Sequence, residues 1–414
     1  MSATPPLRPA VSLPRPAPWR LGLYVCLLGL LAWPRLGTAE DGWRSTGFIG
    51  AEARVFTRTP QFPGQADEDD YSAILQPELR YTSGDQRLTF VPFYRYDSVD
   101  EERTHFDMRE LNWRKSTRDW DLLAGVGRVF WGVTESRHLV DIINQTDLVE
   151  NIDQEDKLGQ PMVNLNLLRD WGTLGLFVLP GFRERTFPGI DGRLRTPLPV
   201  DTDDPQYESG AEETHVDAAL RYSHVLGDWD VGAYYFYGTG REPRLIPDPA
   251  NQRFIPYYDL IQQVGVDLQL TAEAWLWKFE GIAREGQGKT FGAAVAGVEY
   301  TFYQLGDSAA DLGMLLELLY DDRDETAPPV LFDEDVFVGL RLALNDVDDT
   351  QVLAGVVYDP EDEETLFTLE AERRLGQHFT AEFEVRLFSD EPSESLLNAF
   401  RRDNYFQLQL AYYF

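Results

Sequence analysis

The chain has 414 residues, 43% of them hydrophobic, with 24 Phe, 19 Tyr, 10 Trp, a single Cys and a formal net charge of −33. No run of 18 apolar residues occurs beyond the first forty positions, which excludes a helical membrane span there. The cysteine count and acidic balance exclude a disulfide scaffold, a zinc finger and a nucleic-acid binder with a basic face, while the length fits either two or three globular domains or one large β-barrel.

At the N-terminus Arg8, Arg15 and Arg20 precede an apolar run from Leu21 to Trp33, and the small residues Gly37-Thr38-Ala39 follow. This order reads as a signal peptide over 1–39, cleaved before Glu40, with a run too short to span a bilayer. Cys26 lies inside that run without the small residues that precede a lipidated cysteine. Residues 1–39 carry four Arg and no acid, so their loss takes the formal charge from −33 to −37 and removes the only cysteine. An exported, thiol-free, acidic and aromatic-rich chain remains, 40–414, read as one domain.

From there the sequence predicts strands near 46–57, 71–82, 86–97, 103–115, 119–132, 161–169, 171–183, 214–225, 228–238, 257–270, 274–285, 289–303, 309–320, 335–345, 350–358, 364–374, 377–388 and 404–414. Within them apolar and polar residues alternate with a period of two: Trp275, Trp277 and Phe279 against Leu276, Lys278 and Glu280, or Val336, Val338 and Leu340 against Phe337, Gly339 and Arg341. The connections alternate too, short at Ser83-Gly84-Asp85, Ser116-Thr117-Arg118 and Leu226-Gly227, long and acidic at 58–70, 133–160, 184–213 and 239–256. A transmembrane antiparallel barrel of eighteen strands explains both alternations, with both termini on the short-turn, periplasmic side. Pro77 and Pro92, equidistant from the turn at 83–86, predict a planned bulge, and the phase change around Arg109-Glu110 keeps sixteen strands as the alternative.

The face opposite the apolar one is the expected lumen lining. Its early strands contribute Arg54, Arg80, Arg87, Arg95, Arg109, Arg114 and Arg128, and its late strands Glu370, Glu372, Arg374, Glu382, Glu384 and Arg386. This predicts a water-filled channel with a basic arc opposite an acidic one, suited to small polar or anionic solutes. Loop 133–160 carries Glu135, Asp141, Asp147, Glu150 and Asp153 among many aliphatics, more than a solvated loop needs, and is the candidate constriction. Asp67-Glu68-Asp69-Asp70 reads as a solvated face rather than a cation site. Of five His, only His105, two residues before Asp107, suggests a catalytic pair, and no enzyme activity, cofactor or metal is expected.

The chain closes on Tyr405-Phe-Gln-Leu-Gln-Leu-Ala-Tyr-Tyr-Phe414, with Leu410, Tyr412 and Phe414 on one face. This terminus resembles the strand recognised by the assembly machinery of Gram-negative outer membranes. Together with the strand rhythm, it makes the chain resemble porin-like outer-membrane barrels, whether general or substrate-specific porins or the alginate-export type. Arg109-Glu-Leu-Asn-Trp113 and Gly127-Arg-Val-Phe-Trp-Gly132 are similar to a strand pair in porin-like families. The resemblance implies solute passage, partners in outer-membrane lipid, lipopolysaccharide and the barrel assembly machinery, and a homotrimer as one assembly it allows. With only four Lys, the chain departs from the dense lysine array of phosphate-selective pores. An adhesin or scaffold working through the acidic loops is the second reading.

Overall fold

The computed structural model describes residues 41–361, 363–389 and 395–414; the expected signal peptide lies outside them. Eighteen strands make one closed antiparallel sheet: Gly42–Phe56, Asp70–Ser83, Gln86–Asp97, His105–Ser116, Trp120–Gly127, Gln160–Arg169, Gly172–Pro180, Val216–Leu226, Trp229–Thr239, Leu260–Ala272, Trp275–Glu285, Phe291–Phe302, Asp311–Asp321, Val336–Ala343, Gln351–Asp359, Glu364–Leu375, Phe379–Phe388 and Tyr405–Tyr413. Each pairs with its neighbour in sequence. The first strand also pairs with the last, Phe48 opposite Tyr413 and Phe56 opposite Tyr405, so no edge is left open. Eighteen is therefore the number, and sixteen falls.

The side-chain period of two sorts the wall as the sequence predicts. Val338 is 52% exposed on the outside while Phe337, next to it, is 4% exposed on the inside. Aromatic side chains gather outside at both rims. At the short-turn rim Trp43 packs on Tyr81, Trp171 on Tyr222, and Trp275 on both Trp277 and Tyr300. At the opposite rim Tyr71, Tyr96, Phe106, Tyr320 and Tyr358 stand exposed on outward positions. Two amphipathic girdles around an apolar band are what a bilayer's two interfaces select.

The expected bulge is absent between the second and third strands: the prolines interrupt their pairing without changing its register. Pairing between the second and third strands is continuous from Ser72–Asp97 to Leu75–Tyr94, stops, and resumes at Leu79–Phe90 in the same register, so Pro77 and Pro92 face each other in the gap. Proline has no N–H to donate, and placing two opposite each other confines the loss to one site. The register of the third strand against the fourth shifts at Val91/Pro92, which accounts for the phase change at Arg109-Glu110.

Four boundaries differ from expectation by three residues or more. The first strand starts at Gly42, not 46. The fifth strand stops at Gly127, not 132, because the chain turns inward there. The seventh stops at Pro180, not 183. The tenth starts at Leu260, not 257, since Arg253–Tyr258 pairs with Arg244–Asp248 and with Gln206–Tyr207 in a small separate sheet built from the long loops.

Candidate functional site

Loop 128–159 leaves the wall after Gly127 and returns at Gln160, and one side chain holds its two feet together. Asn144 accepts from Val129 N at 2.9 Å and donates to Gly127 O at 3.0 Å and Leu158 O at 2.8 Å. It thus replaces the ladder partners that a continuing strand would have had. Between the feet, Leu139, Val140, Ile142, Ile143 and Ile152 are buried against inward residues of the wall such as Phe177, Leu179, Phe236, Ile282 and Leu315. The aliphatic surplus of this loop is therefore core, and the core lies within the barrel.

The polar anchors are of two kinds. On one side the wall supplies arginines and the loop supplies acids. Arg109 Nη2 lies 2.7 Å from Asp147, which also takes His105 Nε2 at 3.1 Å. Arg95 donates to Glu150 at 2.6 and 2.9 Å and to Glu52 at 3.0 Å. Arg54 reaches the Glu150 carbonyl, and Arg103 the Val149 carbonyl at 2.9 Å. On the other side the wall supplies carboxylates and the loop supplies backbone N–H groups. Glu280 accepts from Val133, Thr134 and Val140 at 2.7, 3.0 and 3.1 Å, and Glu317 accepts from Glu135 and Ser136, both at 2.8 Å. The loop consequently runs from the eleventh and thirteenth strands across to the first, third and fourth. Its tip reaches the late strands, with Asn151 donating to Glu384 at 2.9 Å and Asp153 3.1 Å from Arg386.

The expected lining residues divide accordingly. Arg54, Arg95 and Arg109 do face inward, but they are 2–4% exposed and engaged with the loop, so this part of the basic arc does not lie bare on a water-filled wall. Burial of these cations is tolerable only because carboxylates and carbonyls meet them, and the loop brings those groups in. Arg128 lies beyond its strand and is exposed. Arg80 pairs with Glu78, and Arg114 with Asp121 at 3.2 Å; Arg87 is exposed toward the short-turn rim. Among the late strands, Glu370 and Glu384 both flank Arg386, at 2.6 and 3.2 Å, and Glu382 accepts from Gln409. Glu372 is exposed, and Arg374 pairs with Asp349 of a short turn. Of the loop acids, Glu135 meets Arg341 at 2.5 Å, and Asp141 pairs within the loop with Lys157 at 3.3 Å.

Burial would raise the Asp147 carboxyl, yet His105 and Arg109 hold it down at about 2. Asp153 goes the other way: its place inside the barrel, with Glu155 and Glu384 nearby, pushes it up to about 8 despite Arg386, although its side chain keeps 24% of its exposure. His105, Asp147 and Glu150 bring ligand-type atoms within 4.8 Å of one another. Arg109 and Arg95 already occupy both carboxylates, so a divalent cation would sit against two guanidinium groups; the cluster is an ion-pair node. Asp107, weighed as the partner of His105, pairs instead with Arg183 at 2.9 Å and Arg109 at 3.3 Å.

Sequence reading missed Arg103, which joins Glu52, Asp97 and Ser72 at 2.7–2.9 Å. It also missed the loop arginines Arg137, Arg185, Arg241 and Arg323. The small sheet of the long loops had a signal in the sequence, since Arg244-Leu-Ile-Pro and Arg253-Phe-Ile-Pro repeat one pattern and Ile246 pairs with Ile255.

At the C-terminus Leu410, Tyr412 and Phe414 stand on the outer face, and Phe414 N donates to Gly47 O at 3.1 Å.

No family model and no curated protein matches the sequence. Solved structures do share the architecture. Wzi of Escherichia coli, an outer-membrane protein involved in group 1 capsule assembly and described as a carbohydrate-binding β-barrel, superposes with a TM-score of 0.52 at 10% identity, over 95% of this chain and 86% of that one. A BenF-like porin from Pseudomonas fluorescens Pf-5 gives 0.52 at 8% identity, over 91% and 98%. Identities this low speak for the fold alone. The closed eighteen-stranded wall, its two aromatic girdles and these likenesses give the chain the fold of a porin-like outer-membrane β-barrel.

Proposed function

We propose that the protein is an outer-membrane channel for small polar or charged solutes, narrowed by loop 133–160. The observation that carries this reading is the double anchoring of the loop, arginines to loop acids on one side and carboxylates to loop amides on the other. A segment fixed at both walls sets an aperture, whereas a segment packed over the rim would not. Inward residues nearer the short-turn rim, Arg44, Arg87 and Glu372 among them, are exposed, which supports a hydrated periplasmic vestibule below the loop. Selectivity then comes from the cavity around the loop more than from the basic arc, whose Arg54, Arg95 and Arg109 are engaged. Liposome swelling with neutral, anionic and cationic solutes of matched size tests the reading. Size-limited entry supports it, and swelling no faster than in protein-free vesicles contradicts it.

A second reading has its own observation. Loops 181–215 and 240–259 build a small sheet over the outer mouth, with the Arg244 guanidinium 4.7 Å from the Tyr257 ring. An ordered cap of this kind suits a surface-binding barrel, adhesin or scaffold, and Wzi is described as binding carbohydrate. Retention on immobilised polysaccharide without solute passage would favour it. In either case Phe414, Tyr412 and Leu410 are proposed as the signal for the barrel assembly machinery. Deleting Phe414 should lower the amount of heat-modifiable protein in the outer membrane, and unchanged assembly would refute that role.

A further inference from the structure

On the outer side of loop 133–160, the loops containing Arg185, Glu242 and Phe332 enclose a cavity of about 260 Å³. Its lining has two distinct chemistries. One part is apolar, with Leu139, Ile142, Ile282, Leu331, Phe332 and Phe337. In the other, Arg137, Arg185, Arg241, Arg284 and Arg323 gather near Glu242. Arg284 meets Glu242 at 2.5 Å and Arg323 meets it at 3.4 Å. Arg323 and Arg137 share Asp321 at 2.7 and 2.9 Å, and Arg241 takes Asp217 at 2.7 Å. Five guanidinium groups therefore answer to three carboxylates.

The surplus can be located. Arg185 makes one side-chain hydrogen bond, from Nε to Gln145 Oε1 at 3.4 Å, and has no ion pair among the described residues. Burial lowers it from the usual guanidinium value. Arg241, 3% exposed, keeps its Nη2 buried without a hydrogen-bond partner. The remaining acids on the lining are committed elsewhere: Glu135 to Arg341, Asp141 to Lys157, Asp153 and Glu370 to Arg386, and Glu155 to His138. A half-buried guanidinium with no ion pair of its own, beside an apolar wall and next to a buried Arg241 nitrogen without a partner, leaves room for one more anion in that space. In a chain with a net charge of −33, such a basic enclosure is not a consequence of composition.

We infer that this cavity binds an organic anion with one carboxylate and an apolar body, the carboxylate on Arg185 and the body against Leu139, Ile142 and Phe332. The inference rests on the channel reading and names the solute class that loop 133–160 would pass. Glu242 already occupies part of the arginine cluster as an internal carboxylate, so it competes with the ligand.

Calorimetric titration of the purified barrel in detergent micelles with 4-phenylbutyrate and with its uncharged amide is the test. The acid should bind saturably at one site and the amide about tenfold more weakly, the usual worth of a charge-assisted contact. Arg185→Gln should weaken the acid about tenfold. It removes no ion pair, and unchanged heat-modifiable migration would show that the fold is intact. Glu242→Gln should tighten the acid, a change of opposite sign that misfolding cannot mimic. No saturable binding, equal binding of acid and amide, or indifference to both substitutions would overturn the site. Binding without liposome swelling would keep the site and refute the channel, and swelling without binding would do the reverse.

Discussion

The two halves of the barrel obey one alternation and reach opposite results. In the long-loop half the inward residues Arg95, Arg109, Gln263, Glu280 and Glu317 are all at most 4% exposed, because loop 133–160 fills the space before them. In the short-turn half, inward Arg44, Arg87 and Glu372 remain open. A period of two decides which face a side chain takes, and what occupies the enclosed space decides whether it meets water. The same residue type, arginine, is a structural anchor in one half and a hydrated wall group in the other.

Breaking the carboxylate side of the loop should have the largest effect. Glu280→Ala together with Glu317→Ala orphans five loop N–H groups, at about 1–3 kcal/mol for each that stays buried. The loop should detach, and trypsin should cut after Arg137 in the double variant while sparing the parent. Equal protection would mean that the aliphatic packing alone holds the loop. Next comes the arginine side. Arg95→Gln takes the guanidinium from Glu150 and Arg109→Gln takes one of Asp147's two basic partners, and each should cost about 1–3 kcal/mol, visible as a lower melting temperature on heat-modifiable gels. The contrast is sharpened by Arg87→Gln in the open half, which should change stability by no more than about 0.5 kcal/mol; a loss comparable to that of Arg95→Gln would erase the distinction between halves.

The smallest expected effect is that of pH. Asp153, raised to about 8 in the docked loop from 3.8, binds its proton more tightly there than when free. Its contribution is complete below about pH 4 and is lost as pH rises toward 8. Asp147, lowered to about 2, contributes fully above 3.8 and loses that contribution only as pH falls toward 2. Between pH 5 and 8, therefore, the Asp153 end should loosen on raising the pH, while the Arg109–Asp147 pair should not. Cleavage after Lys157, compared at pH 6 and 8 against an Asp153→Asn control, should rise more in the parent; parallel responses would remove Asp153 from the account.

How far the sequence speaks follows from the same physics. Strand number and facing were legible because alternation is local: Trp275, Trp277 and Phe279 point outward whatever lies across the barrel. The paired prolines were legible because their distances from one turn are equal. The loop's aliphatics announced a buried segment. The pairing of wall arginines with Asp147 and Glu150 was not legible, since it joins residues 38 to 55 positions apart through an enclosed space that no local pattern encodes. Arg185 and Arg241 sit in irregular loops, where neither period applies, and the two rims of outward aromatics become girdles only once the strands are in register.

The central claim, that loop 133–160 crosses and limits the lumen, is tested most directly by single-channel conductance in planar bilayers. The parent would be compared with a heat-modifiable variant in which residues 133–156 are replaced by a short Gly-Ser link. Conductance about threefold higher in the variant is predicted, since removing the segment widens the narrowest water-filled section. Equal conductances would contradict the account and place the limiting aperture elsewhere.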